Sequence, residues 1–173
     1  MRAVLLLAGL LATIPAPAPE EPRPLAPAAH PWSDRSGALV SGGGAAWASV
    51  STSHGALLGV VRAGMHEYGF EWAAEGGIGP SLGNSGLALD LAALPGGRIP
   101  IGGRLSLPVH GSAGVVSIDG DASFALGLDA GIDVALDRIW RVEIALACRA
   151  APGFEDEGLV PLVGLWAGVA AIP

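Results

Sequence analysis

The chain has 173 residues, of which 51% are hydrophobic and only 14% charged, with nine arginines, no lysine and a formal net charge of −7. A water-facing surface normally needs about a quarter of a domain's residues charged, while a disordered chain would be far less apolar than this one. The acidic balance and the absence of a basic stripe exclude a nucleic-acid partner, and the lone Cys148 excludes an internal disulfide.

Met1-Arg2 followed by the apolar run Ala3 to Ile14 has the length of a signal-peptide core and is too short to cross a bilayer as a helix. A Sec-type signal peptide is expected over residues 1–18, with Ala26-Pro27-Ala28 as the later cleavage alternative. No cysteine follows it to carry a lipoprotein anchor. Residues 19–36 are proline-rich and read as an extended, flexible segment.

From residue 37 to 173 the chain alternates with a period of two, the signature of strands. A glycine-rich first strand runs around Leu39 to Val50. Leu57, Val61 and Met65 share one face of the second, with Arg62 on the other. Tyr68, Phe70 and Trp72 then alternate with Glu67, Glu71 and Glu75. Leu87, Leu89 and Leu91 alternate with Ala88, Asp90 and Ala92. Ile99, Ile101, Leu105, Leu107 and Val109 alternate with Gly102, Arg104 and Ser106. The clearest case is Phe124, Leu126, Leu128, Ala130, Ile132, Val134 and Leu136, interleaved with Asp129, Asp133 and small residues. After Asp137-Arg138 the pattern restarts with Trp140, Val142, Ile144, Leu146 and Cys148 against Arg141, Glu143 and Arg149. The last segment, Leu159 to Ile172, is apolar on both faces and its orientation stays open.

About eight strands result, each long enough for the roughly 9–11 residues that a tilted strand needs to cross hydrocarbon. Tight connections are expected at Met65 to Tyr68, Pro95-Gly96-Gly97 and Asp137-Arg138. Longer ones are expected at Ser51 to Gly55, Pro80 to Gly86, Gly111 to Asp121 and Pro152 to Gly158. Alternation alone fits a soluble lipocalin-like barrel around an apolar ligand as well as a membrane barrel. The non-leucine face decides between them. It carries alanine, glycine, serine and isolated charges, which suit a cramped interior better than a wetted surface. That places Arg62, Glu67, Glu71, Glu75, Asp90, Arg104, Asp129, Asp133, Arg141, Glu143 and Arg149 in the lumen as a structural charge network, because enclosed charges need partners. Trp47, Trp72, Trp140 and Trp166 are assigned to interfacial aromatic girdles. Pro100, Pro108 and Pro161 fall within strands and are expected at strand ends or bulges.

In strand number, alternation and loop asymmetry, residues 37 to 173 resemble the OmpA transmembrane domain and OmpX-like outer-membrane proteins. The resemblance implies an all-β, antiparallel up-and-down transmembrane β-barrel. It further implies residence in a bacterial outer membrane as a monomer, among lipid and lipopolysaccharide, after delivery to the barrel assembly machinery. One departure is the chain end, Ala170-Ala171-Ile172-Pro173, where such proteins typically finish in phenylalanine.

No catalytic constellation, metal-ligand spacing or cofactor motif stands out, so neither a cofactor nor a metal is expected. His110-Gly111-Ser112 is similar in three residues to the His-x-Ser of outer-membrane lipid A deacylases, but its surroundings do not match and a loop-edge histidine is preferred. Asp119-Gly120-Asp121 is read as a hairpin turn rather than a calcium site, and Glu155-Asp156-Glu157 as a solvated loop tip. Three functions follow in order: a structural or interaction role for a membrane barrel with a side-chain-filled lumen, a soluble exported binding barrel, and a membrane-embedded lipid-modifying enzyme.

Overall fold

A computed structural model describes residues 36–51, 53–83, 85–152 and 159–172. The expected signal peptide, nearly all of the proline-rich segment and Glu155-Asp156-Glu157 lie outside the described residues.

Eight antiparallel strands follow one another: β1 (Ser36–Ser49), β2 (Gly55–Glu67), β3 (Phe70–Leu82), β4 (Leu87–Gly102), β5 (Leu105–Ile118), β6 (Asp121–Ala135), β7 (Trp140–Pro152) and β8 (Leu159–Ala171). Each pairs with the next, and β8 pairs back onto β1, closing the sheet. A circuit of paired residues from Gly37 passes through His66, Glu71, Gly96, His110, Asp129, Ala147 and Gly164 and returns to β1 at Trp47. The sheet therefore closes with a stagger of ten residues, from 37 to 47. With about 3.3 Å per residue and about 4.8 Å between strands, that stagger tilts the strands by about 40° and leaves about 16 Å between opposite backbones. The shortest strands, of 13 residues, then rise about 33 Å, more than the apolar band of about 25 Å.

The even strand count puts the first and last strand ends at one end of the barrel, together with the turns after β2, β4 and β6; this is the terminal end. The opposite, loop end holds the connections after β1, β3, β5 and β7. Tyr68 (φ 48°) and Gly69 (φ 86°) make one tight turn, Asp119 (φ 58°) and Gly120 (φ 98°) another. Positive φ at both central residues matches the right-handed twist of the flanking strands.

Two expected connections are displaced. Pro95-Gly96-Gly97 lies inside β4, and the turn comes later, at Gly103-Arg104. Gly111 to Asp121 is not a loop: β5 runs to Ile118 and only Asp119-Gly120 turns. The contrast between short and long connections is accordingly weaker than expected. Pro100 adjoins a register shift between Pro100 and Gly102, as a strand proline should. Pro108 does not: it sits inside β5.

The two faces of the wall differ in polarity. Leu128 is 66% and Leu146 60% exposed on the outside, while Asp129 and Asp133 are each 1% exposed within. β8, ambiguous by sequence, turns Val163, Leu165 and Val169 outward and Leu162, Trp166 and Ala170 inward. Tyr68, Phe70, Trp72 and Trp140 are exposed at the terminal end, where the ring of a membrane interface would hold them. Trp47 and Trp166 correct the expected girdle: at 7% and 2% exposure, they point into the lumen.

Candidate functional site

Among the described residues, chemically versatile side chains converge in the interior of the tube. β2 and β3 bring Arg62, His66, Glu71 and Glu75 inward; β4 and β5 add Asp90, Arg98, Ser106 and His110; β6 and β7 add Asp129, Asp133, Arg141, Glu143 and Arg149. All are buried, and each sits at the inward phase of its strand.

Six carboxylates meet four guanidiniums, and each guanidinium serves more than one acid. Arg62 reaches Glu75 through Nε at 2.6 Å, Glu143 through Nη1 at 3.3 Å and Asp129 through Nη2 at 3.6 Å. Arg98 binds Glu71 at 2.5 Å, Asp133 at 2.7 Å and Glu143 at 3.2 Å. Arg141 donates to Glu71 at 2.8 Å and lies 3.7 Å from Asp133. Arg149 joins Glu75, at 2.7 Å, to Asp90. Ser106 donates to Asp133. Such sharing supplies much of the compensation that enclosed charges require, with Asp129 the most weakly served, at 3.6 Å from Arg62.

Glu71 is the hub. Its Oε1 accepts from Arg98 Nη1 and Arg141 Nη1 and lies 2.8 Å from His66 Nδ1, while its Oε2 lies 3.2 Å from His110 Nε2. Four strands besides its own thus meet at a single carboxylate. The void among Arg62, Glu71, His110, Arg141 and Glu143 is about 10 Å³, room for at most one water.

Two indoles close the network from the side. The Arg62 guanidinium lies 4.2 Å from the Trp166 ring centroid, and Arg149 lies 4.7 Å from that of Trp47, both within cation–π range. Trp47 has space because its partner across the β1–β8 ladder is Gly164, where a Cβ would meet the indole Cε3 at 2.7 Å.

Nine of the eleven charges assigned to the lumen lie there; Glu67 and Arg104 do not. Glu67 pairs with Phe70 across the Tyr68-Gly69 turn and shares its outward face. Arg104 is a turn residue, exposed, with Nη1 donating to the Leu136 carbonyl at 2.9 Å. The lumen also holds Arg98, His66 and His110, which the alternation does not assign to it. Arg98 adjoins the supposed Pro95-Gly96-Gly97 turn, and a lone histidine carries no sequence signal of burial. His110 corrects the loop-edge reading: it lies inside β5, and both it and Ser112 face the lumen, away from the lipid that a deacylase would act on. Among the described residues, no group of three or more His, Cys, Asp or Glu side chains is arranged to hold a metal ion.

No protein-family model and no curated protein matches the sequence. Among solved structures, the fold is similar to that of the crystal structure of Neisserial surface protein A (NspA). The TM-score is 0.59 at 13% sequence identity, over 80% of this chain and 97% of that one. The chain shares the fold of the small eight-stranded outer-membrane barrels.

Proposed function

We propose that the protein is an integral outer-membrane β-barrel with a structural or interaction role and a lumen too full of side chains to conduct large solutes. One observation carries this reading: the leucine-bearing face of the closed sheet turns outward and the charged face turns inward. A soluble binding barrel needs the reverse, with its apolar face around a ligand and its polar face in water. The likeness to a Neisserial surface protein supports the same location. Its surroundings would be outer-membrane lipid and lipopolysaccharide, reached through the barrel assembly machinery after Sec export, and it would act as a monomer.

Heat modifiability in detergent tests the proposal. The folded barrel should stay compact in unheated sample buffer and migrate apart from the boiled chain. A single mobility under both conditions, together with a monomer that stays soluble in detergent-free buffer, would remove the membrane assignment.

A further inference from the structure

Five of the eight ladders, β1–β2, β3–β4, β6–β7, β7–β8 and β8–β1, run without a break. The other three are interrupted, each beside a proline. Partners pass from Ala56↔Ser81 to Gly59↔Ile78 beside Pro80, from Ala93↔Ala113 to Gly96↔His110 beside Pro95, and from Ser106↔Asp133 to Val109↔Ala130 beside Pro108. The register is kept across each gap; only the rungs are missing.

Proline explains the side on which each gap falls. Pro95 keeps its place opposite Trp72 on β3, and Pro108 keeps its place opposite Arg98 on β4. The donor each ring lacks is therefore missing from the other edge, toward Gly111 for Pro95 and toward Gly131 for Pro108. β5 is thus the one strand with a gap on both edges, at residues 107–108 on the β6 side and 111–112 on the β4 side. Between them, Val109 and His110 are the only residues of this stretch paired on both sides, to Gly97 and Gly96 on β4 and to Ala130 and Asp129 on β6. Inside a bilayer no water replaces a lost backbone hydrogen bond, so a doubly interrupted strand is the least secured part of the wall. The charged layer lies directly behind it: Ser106 holds Asp133, and His110 faces Glu71.

We propose that residues 107–112 of β5 form a compliant window in the barrel wall, which opens as a unit ahead of the other strands and loosens the cover over the charged layer. Residue-resolved amide hydrogen exchange on the full chain in lipid nanodiscs tests it. Val109 and His110 should exchange together with Gly111, Ser112 and Gly131, at least about tenfold faster than Ile144, Ala145, Trp166 and Ala167 in the unbroken β7–β8 ladder. Protection at Val109 and His110 equal to that of β7–β8, with fast exchange confined to residues at the gaps, would overturn the proposal. Pro108→Ala, which returns an N–H toward Gly131, should slow exchange at Val109 and His110; no change there would also count against it. Should that variant not fold, the contrast within the unaltered chain decides alone.

Discussion

The lumen has two halves built on different physics. Toward the terminal end it is dominated by ions: His66, Glu71, Arg98, Asp133, Arg141 and Glu143 all lie within a few residues of the strand ends there. A small apolar cluster that includes Leu39, Leu94 and Ile172 fills the remaining gaps. Toward the loop end the tube is packed mainly with Ala56, Leu58, Val116, Ile118, Val160 and Leu162, with Asp90 and Arg149 as its one ion pair among the described residues. Both halves are filled by side chains, but the ionic half with groups that depend on one another, the apolar half mainly with contacts that are separately worth having. A tube about 16 Å across must fill its interior somehow; what differs is how a single lost side chain is felt.

Glu71 is the place where that difference should be largest. Replacing it with leucine removes the nearest acceptor that Arg98 and Arg141 share and leaves them Asp133 and Glu143, a loss of up to about 3–5 kcal/mol on the scale of a broken buried pair. Urea unfolding of the chain in lipid vesicles measures it. Because the groups form one network, Glu71→Leu combined with Arg98→Leu should cost much less than the two separate losses together. Strict additivity would mean that the acids and guanidiniums are held independently, and the ionic half would then behave like the apolar one.

Leu162→Ala probes the other half. Leu162 is 2% exposed, and truncation of a buried leucine costs about 2–4 kcal/mol through lost contacts and residual cavity. Its effect should add to that of Glu71→Leu, since the two share no partner. A strong coupling between them in the same unfolding assay would show that the halves are one cooperative unit and that the division drawn above is only geometric.

The sequence made the strands readable but not all of the phases. In β6 and β7 the alternation around Asp129, Asp133, Arg141 and Glu143 is unbroken, and those side chains are buried where the pattern puts them. Errors arose at turns, because a turn's length decides whether odd positions stay on the same face. Across Tyr68-Gly69 the pairing Glu67↔Phe70 flips the phase, so Glu67 points outward although Glu71 and Glu75 point in. Around Gly103-Arg104 the register shift adds a residue and preserves the phase. Ile99, Ile101, Leu105 and Val109 remain exposed on both sides of the turn. The alternation there runs through a hairpin as if it were one strand, which hid both the turn and Arg98. The inward indoles were hidden for a different reason. Nothing local in the sequence tells a tryptophan stacked on Arg62 from one lying at a membrane interface; that depends on Trp166 and Arg62 meeting across the tube.

The smallest expected effect lies outside both halves, at the turn after β6. Asp137 Oδ1 accepts from the backbone N–H groups of Ile139 at 2.6 Å and Trp140 at 2.7 Å. The bonds from Trp140 and then Ile139 hold its carboxyl below the usual aspartate range. A carboxyl whose pKa is depressed by folding contributes stability above its unfolded pKa and loses it as pH falls through the folded value. Asp137→Ala should therefore lower the thermal midpoint slightly at neutral pH, and the gap to the unaltered chain should close on acidification below the ordinary aspartate range. Thermal melts of both proteins in the same detergent, from neutral to strongly acidic pH, measure this. A gap that stays constant over that span would mean that the turn is fixed by its backbone bonds from Leu136 to Trp140, with the carboxylate charge contributing nothing.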